Sequence, residues 1–390
     1  MLVVTIVLDG AGVGDAPDAD AYGDAGSDTL GHVVAHARPR LPNLARWGLG
    51  RLVAGMPVPD ESAASWGRLT EVAAGKDSTT GHWSLAGLDL MVSFPTYPDG
   101  FPPDVVDAFC REAGVEGVLC NAPGSGTAVI DAFGPEHQAT GRPILYTSGD
   151  SVFQIAAHTD TVPLEALYAM CRVARERVCV GPHAVGRVIA RPFRGTPGAY
   201  ARDSAARKDF SLPPPGPTLL DALQTAEVRT VCVGKVAALF AGQGVDEEIK
   251  TAGNADGVEK TLSAIAEAGA SGQPTFVWTN LVDFDELFGH RGDAPGFAGA
   301  LEAFDAALPR LEAALPPESI LIVTADHGND PTTPGSDHTR ERVPVLMQVR
   351  DAAGNVRPGR DLGTGTTFAD HAATVARAFG AAWSGPGTPL

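Results

Sequence analysis

The sequence predicts an α/β fold in which helices cover a buried, largely parallel β-sheet. Several short apolar runs rich in β-branched residues are closely followed by a charged side chain, as is typical of strands in a buried parallel sheet. These runs, each with the charged residues after it, are Leu2–Leu8 with Asp9, 230–233 with Lys235, 275–282 with Asp283 and Asp285, and 320–324 with Asp326. Helical patterns lie between them, at 104–112, 164–175 and 297–308. Because ligands bind at the carboxyl ends of the strands in such folds, the charged residues form the first candidate site.

Length and proline content predict an inserted domain. The 390 residues exceed what one hydrophobic core usually organises. Two proline-rich segments restrict the backbone at 94–103 (FPTYPDGFPP) and 212–217 (LPPPGP). We interpret them as hinges, which predicts a core domain formed by 1–96 and 214–390 and a cap domain at 97–213. The alternative is that both segments are surface loops within one domain.

Composition and charge exclude several classes of protein. Hydrophobic residues make up 44% and charged residues 19% of the chain, which is ordinary for a folded globular protein. Asp and Glu outnumber Lys and Arg by 47 to 29, and this net charge of −18 argues against a nucleic acid or an acidic membrane as partner. The five cysteines form no CxxC pair, so neither a disulfide framework nor a thiolate zinc site is expected. The first apolar run lacks a basic leader and no run reaches about 18 apolar residues, so we expect a cytoplasmic protein.

A cluster of hydroxyl groups is a candidate for covalent chemistry. Ser78, Thr79 and Thr80 occur in AAGKDSTTGHWSLAG, where a helix is expected to begin. The unpaired backbone N–H groups at a helix start stabilise an anion, which suits a hydroxyl that carries a phosphoryl group. The alternative is an ordinary N-cap, because Ser, Thr and Asp are favoured at that position.

Acidic residues follow two of the predicted strands as candidate metal ligands. Asp9 ends the first strand, in VVTIVLDGAGVGD, where a turn or helix-cap role is the alternative. Asp285 and His290 follow a later strand in TNLVDFDELFGHRGD, and together they can hold one hard divalent ion. Asp283 and Glu286 are competing carboxylates, and an ordinary polar loop is the alternative for this segment.

The segment TADHGNDPTTPGSDHTRERVPVLM gives the strongest indication of a metal site. Asp326 and His327 end a predicted strand, and His338 follows after a loop rich in Gly and Pro. A histidine in a polar loop after a buried strand rarely has a packing reason to be there, so metal ligation is favoured. With the other segments, these residues supply oxygen and nitrogen ligands for two cations across a reacting phosphate.

Longer motifs carry a resemblance to a known family. In chain order they are VLDGAGVGDAPDA, GSDTLGH, GKDSTTGHW, GTAVID, YTSGDSVFQIAAH, GRVIARPF, TNLVDFDELFGH and ADHGNDPTTPGSDHTRERVPVL. These motifs resemble those of phosphopentomutases across essentially the whole chain, whereas the metal motifs alone resemble the wider alkaline phosphatase superfamily. The resemblance implies an alkaline-phosphatase-like core sheet sandwiched by helices, with an inserted α/β cap domain. It also implies the interconversion of ribose 1-phosphate, or its 2-deoxy form, and the corresponding 5-phosphate; a metal-dependent phosphatase or a mutase of another phosphosugar is the alternative.

The resemblance also implies roles for individual residues. Ser78 matches the position that carries a phosphoryl group, which in many relatives is Thr. One manganese ion is expected among Asp9, Ser78, Asp326 and His327, and a second among Asp285, His290 and His338. The residues expected to approach the ribose phosphate are Ser148, Asp150, Arg187, Arg202 and Lys235. Pentose phosphates are the implied small-molecule partners, a sugar bisphosphate is the implied activator, and Ser84 departs from the Glu usual in relatives.

Overall fold

The computed structural model of the chain describes residues 1–148 and 151–390. These residues divide into two compact units. The core unit comprises Met1–Val92 and Pro214–Leu390, and the inserted unit comprises Ser93–Pro213. The chain passes from one unit to the other beside the proline-rich segment 94–103 and within 212–217.

Strands and helices alternate along much of the chain. The described residues form fourteen strands: β1 (Leu2–Leu8), β2 (Ser65–Leu69), β3 (Leu119–Pro123), β4 (Ile144–Thr147), β5 (Val152–His158), β6 (Arg187–Arg194), β7 (Ala201–Arg202), β8 (Lys208–Ser211), β9 (Arg229–Val233), β10 (Glu247–Ile249), β11 (Thr275–Leu281), β12 (Ser319–Thr324), β13 (Val343–Arg350) and β14 (Asp361–Thr364). The α-helices are α1 (Ala19–Tyr22), α2 (Thr29–Ala37), α3 (Pro42–Arg46), α4 (Ser78–Leu85), α5 (Pro103–Ala113), α6 (Gly126–Thr140), α7 (Leu164–Val173), α8 (Leu219–Thr225), α9 (Val236–Leu239), α10 (Asn254–Ser271), α11 (Ala294–Ala314) and α12 (Asp370–Phe379). In the described part of the chain, no helix combines the length and the apolar character needed to cross a membrane.

The core unit is built on an eight-stranded sheet in the order β10-β9-β11-β1-β12-β13-β2-β14. The strands from β10 to β12 are parallel, whereas β13 is antiparallel to both of its neighbours. Every residue of β1, β11 and β12 is buried, which explains why these strands are continuous apolar runs in the sequence. The carboxyl ends of β9, β11, β1 and β12 therefore meet at one edge of the sheet.

Helices lie on both faces of this sheet. Neighbouring residues of a strand point to opposite faces. Trp278 of β11 packs against His371 of α12, with the ring centroids 5.7 Å apart. The next residue, Thr279, shares a 2.7 Å hydrogen bond with Thr261 of α10. The helices α10 and α12 are thus on opposite faces, and the predicted α/β fold with a sandwiched core sheet is confirmed.

The inserted unit has its own mixed sheet and two hydrophobic clusters. Its strands follow the order β3-β4-β5-β6-β7, and β8 also pairs with β6. One cluster places Phe109 of α5 and Leu167 of α7 against Phe153 of β5. The other places Ile130 of α6 against Tyr146 of β4 and neighbouring residues. Helices therefore pack against both faces of this sheet as well, so the insertion is an α/β unit as predicted.

Candidate metal and phosphoryl-transfer site

The site lies at the carboxyl edge of the core sheet. Asp9 follows β1 and Asp326 follows β12, which are neighbouring parallel strands. The strand β11 pairs with the other edge of β1, and Asp285 lies in the helical turn that follows it, Phe284–Phe288. Lys235 follows β9, the next strand outward. The four side chains thus converge because four adjacent parallel strands end at the same edge.

Ser78 is the first residue of α4 and lies at this edge of the sheet. It is buried, with 7% of its surface exposed. Asp77 is the N-cap, and its carboxylate accepts hydrogen bonds from the backbone N–H groups of Thr79 and Thr80. The Thr80 hydroxyl also donates to Asp77, over 2.7 Å, and is occupied there. The cap is therefore supplied by the aspartate, and the Ser78 hydroxyl is left to other partners.

Three side chains surround the Ser78 hydroxyl. Lys235 Nζ donates a hydrogen bond to Ser78 Oγ over 2.8 Å. His327 Nε2 lies 3.2 Å and Asp9 Oδ1 lies 3.5 Å from the same oxygen. This close approach requires Gly81, because a Cβ there would lie 1.9 Å from the Asp326 carbonyl oxygen. The nucleophile candidate thus contacts residues from three different strand ends.

Among the described residues, two groups of carboxylates and imidazoles could each hold a metal ion. The first is Asp9, Asp326 and His327, and the second is Asp285, His327 and His338. In the first, His327 Nε2 lies 3.2 Å from Asp9 Oδ1. In the second, His338 Nε2 lies 3.2 Å from Asp285 Oδ1. His327 belongs to both groups, so the two candidate sites are adjacent.

His290 joins the second group through Asp285. Its Nε2 lies 3.3 Å from Asp285 Oδ2, and its ring centroid lies 4.7 Å from that of His338. His290 Nδ1 lies 2.6 Å from the Ser336 carbonyl oxygen. A carbonyl only accepts hydrogen bonds, so Nδ1 carries a proton, and Nε2 is the ring nitrogen that faces Asp285 and could bind a metal.

The buried donor atoms fit divalent cations. Asp326 Oδ2 and His338 Nε2 are buried and make no hydrogen bond with any described residue. Potential partners lie close by, since His82 Nδ1 is 3.0 Å from Asp326 Oδ2 and His338 Nε2 is 3.2 Å from Asp285 Oδ1. A mixture of carboxylate oxygens and imidazole nitrogens suits Mn, Zn, Co or Mg. The residues present therefore match two neighbouring divalent ions.

Electrostatics keep these carboxylates ionised despite burial. Burial opposes ionisation of Asp326, but His327 and His82 outweigh it and hold the pKa of this carboxyl below its usual range. Burial likewise opposes ionisation of Asp285, but its pKa stays well below normal because His338 and His290 lie beside it. Burial alone would lower the pKa of His327, yet Asp326 and Asp9 raise it to about 10. A divalent ion binding here would therefore replace a proton on His327.

Several supporting residues were not identified from the sequence. Asn280 Nδ2 donates to Asp9 Oδ2 over 3.0 Å, and Asn329 Nδ2 donates to Asp285 Oδ1 over 2.6 Å. The Gly10 backbone N–H donates to Asp326 Oδ1 over 3.1 Å. Asn280 lies on the buried strand β11, where an unpaired amide is unfavourable, and that position is the signal that could have revealed it. These contacts fix the orientation of the carboxylates.

Comparison with known proteins identifies the family. Residues 1–382 match the metalloenzyme superfamily. A phosphopentomutase from Anaeromyxobacter sp. (strain K) is 54% identical over 381 residues, which cover 97% of this chain and 95% of the relative. A phosphopentomutase from Deinococcus radiodurans is 52% identical over 394 residues, which cover 100% and 98% of the two chains. The chain belongs to the phosphopentomutase family. It is accordingly an isomerase that transfers a phosphoryl group, and a divalent-metal enzyme of the alkaline phosphatase superfamily.

Solved structures show a weaker similarity. A phosphoglycerate mutase from Leishmania mexicana covers 99% of this chain and 97% of its own, with 14% identity and a TM-score of 0.48. The PH0037 protein from Pyrococcus horikoshii covers 98% of both chains, with 15% identity and the same TM-score of 0.48. Similarity at this level has no bearing on function.

Five residues of this phosphopentomutase family member were predicted to approach the sugar phosphate, and they belong to different units. Lys235 belongs to the core unit, where it contacts Ser78. In the inserted unit, Arg187 on β6 lies 3.5 Å from Asp209, Arg202 is exposed on β7, and Ser148 follows β4. Asp150 lies outside the described residues.

Ser84, which the family resemblance marked as a departure, is fully buried in α4. Its hydroxyl contacts Glu71, at 3.4 Å, and Asp89. Burial raises the pKa of Glu71 to about 8. The small hydroxyl at position 84 thus lies between two acidic side chains and contacts both.

Proposed function

We propose that this chain interconverts ribose 1-phosphate and ribose 5-phosphate, or their 2-deoxy forms, through a phosphate carried on Ser78. The names of its relatives supply the reaction class. The observation that carries the proposal is the position of Ser78 Oγ, which lies 2.8 Å from Lys235 Nζ and 3.2 Å from His327 Nε2. A hydroxyl at a helix start, beside a cation and two metal-binding groups, suits a phosphoryl carrier.

We propose two bound manganese ions. Asp9, Asp326, His327 and Ser78 would hold one of them, and Asp285, His290 and His338 would hold the other. When bound, the ions supply positive charge that screens the phosphate and stabilises charge on its equatorial oxygens during transfer. The buried atoms that lack hydrogen bonds, Asp326 Oδ2 and His338 Nε2, support this assignment.

Transfer to the sugar exchanges one ester bond for another. A sugar hydroxyl attacks phosphorus, the bond from phosphorus to Ser78 Oγ breaks, and the product is a sugar bisphosphate. The proton of the attacking hydroxyl replaces the phosphoryl group on Ser78. Lys235 donates a hydrogen bond to Oγ and so stabilises the negative charge that develops there as the bond breaks.

The second transfer reverses these roles. Ser78 Oγ attacks the other phosphate of the bisphosphate, its proton passes to the departing sugar oxygen, and the isomerised monophosphate remains. The enzyme ends with phosphate on Ser78, as it began. We propose that a sugar bisphosphate loads Ser78 before the first cycle. Ser148, Asp150, Arg187 and Arg202 are proposed to bind the sugar phosphate, with the arginines pairing with its charge.

One incubation tests the function. Purified protein with ribose 1-phosphate, manganese and glucose 1,6-bisphosphate is expected to form ribose 5-phosphate without free phosphate. The Ser78→Ala variant serves as the control and is expected to form neither product. Release of free phosphate would instead identify a phosphatase, and inactivity on pentoses with turnover of another phosphosugar would identify a different mutase.

A further inference from the structure

The segment that leads to Ser78 has no regular structure of its own. β2 ends at Leu69 and α4 begins at Ser78, and the residues between them form neither helix nor strand. Carbonyl groups in such a segment lack the partners that a sheet or helix provides. The position of Ser78 therefore depends on what binds the backbone at 70–77.

A single guanidinium group, that of Arg340, binds three of these carbonyls. Arg340 Nη1 donates to the carbonyl oxygens of Ala73, at 2.6 Å, and Gly75, at 2.7 Å. Arg340 Nη2 donates to the carbonyl oxygen of Glu71, at 3.2 Å. The two remaining donors bind the Asp18 carboxylate, from Nε at 3.0 Å and from Nη2 at 2.9 Å. All five N–H donors of the guanidinium are used, three of them on one short stretch of backbone.

The surroundings hold Arg340 rigidly. Its side chain is 1% exposed. The Tyr22 ring lies against the guanidinium, with its centroid 4.6 Å from Cζ, and the Tyr22 hydroxyl donates to the Ala74 carbonyl oxygen over 2.9 Å. The backbone N–H of Arg340 donates to Asp24 over 2.9 Å. Three consecutive carbonyls are thus bound, those of Ala73 and Gly75 by Arg340 and that of Ala74 by Tyr22.

The same arginine lies close in sequence to a proposed metal ligand. Arg340 is two residues after His338, and Gly75 is three residues before Ser78. We propose that Arg340 is a positioning residue that sets the distance between the Ser78 hydroxyl and the groups that act on it, Lys235 and His327. This inference rests on the proposed role of Ser78 as phosphoryl carrier. Lysine cannot replace the arginine, because an ammonium group has three donors and no planar fork.

The test measures phosphorylation of Ser78 and metal binding separately. In Arg340→Lys, the rate of phosphoenzyme formation from glucose 1,6-bisphosphate is expected to fall about 10²-fold, as for a displacement of about 1 Å. The kcat is expected to fall with it, while the KM for ribose 5-phosphate and the affinity for manganese stay unchanged. Arg310→Lys is the control, because Arg310 makes an exposed pair with Glu259 on the surface.

A milder variant keeps the test decisive if Arg340→Lys does not fold. Asp18→Asn leaves the three carbonyl contacts intact and removes the charge that orients the guanidinium. It is expected to slow phosphoenzyme formation by at most about tenfold, in the same direction. If Arg340→Lys folds, an unchanged rate of phosphoenzyme formation would overturn the proposal. If it does not fold, an unchanged rate in Asp18→Asn would overturn it. A loss of manganese affinity alongside the slower phosphorylation would also overturn it, because Arg340 would then act by holding the metal ligand His338 rather than Ser78. Failure of the wild-type protein to phosphorylate Ser78 would instead reject the proposed function.

Discussion

Replacement of Lys235 by methionine removes a hydrogen bond to the nucleophile at nearly constant side-chain volume. Lys235 Nζ lies 2.8 Å from Ser78 Oγ and 3.4 Å from Asp9 Oδ2. The lysine side chain is 24% exposed, so solvent screens its charge only in part. A hydrogen bond from a charged group contributes ~1.5–3 kcal/mol. If the bond strengthens as charge develops on Oγ, its loss lowers kcat about 10- to 10²-fold.

Steady-state kinetics with ribose 5-phosphate separate two roles for this lysine. Contact with Ser78 predicts a lower kcat with an unchanged KM, because the interaction acts on the breaking bond. Contact with the sugar phosphate, as the family resemblance implied, predicts a higher KM with kcat preserved. Lys260→Met is the control, since Lys260 makes a surface pair with Asp256. A higher KM with wild-type kcat in Lys235→Met would contradict a role for the lysine at the breaking bond and assign it to the substrate instead.

Three further predictions concern the nucleophile, the metal centre and stability. Ser78→Ala is expected to take up no radiolabelled phosphate from a sugar bisphosphate, and label found on a neighbouring hydroxyl by peptide mapping would contradict this. Asn280→Ala is expected to weaken manganese binding ~10–100-fold in a titration, because the amide orients Asp9; unchanged affinity would show that this contact is dispensable. Burial lowers the pKa of His371 from 6.5 to about 4, so protonation favours the unfolded chain. The stability this group contributes is present above pH 6.5 and is lost as the pH falls towards 4. The loss amounts to about 3 kcal/mol, and urea unfolding of His371→Gln is expected to show a pH dependence flatter than wild type by that amount.

The sequence allowed the strand ends to be predicted because burial on both faces produces continuous apolar runs. β1 was predicted at its observed bounds, and β11 and β12 within one residue of theirs. The polar residues that follow them had to meet, because parallel strands end at one edge of the sheet. This is why candidate ligands as far apart in sequence as Asp9 and Asp326 could be grouped in advance.

Helix ends were harder to predict, because local contacts decide them. The pattern at 297–308 marks only the middle of α11, which begins at Ala294 and ends at Ala314. Asp293 caps it by accepting a hydrogen bond from the Gly296 backbone N–H. The pattern at 164–175 continues past α7, which ends at Val173 and is followed by a wider helical turn, 174–178. Arg175 in that turn donates to the Val185 carbonyl oxygen, a contact with no local signal.

The supporting contacts of the site were not predictable from patterns. Asn280 and its partner Asp9 are 271 residues apart, and Asn329 and Asp285 are 44 residues apart. Asparagine has no preferred spacing relative to a carboxylate that it orients, so only the folded chain reveals the pairing. The same holds for Arg340, whose guanidinium binds carbonyl groups, which carry no sequence signature.

The proposed chemistry depends above all on two divalent cations beside the Ser78 hydroxyl. Anomalous diffraction at the manganese edge, from crystals grown with manganese, locates such ions without ambiguity. Two peaks are expected, one among Asp9, Asp326 and His327 and the other among Asp285, His290 and His338. A single peak, or peaks remote from Ser78, would contradict the two-ion mechanism.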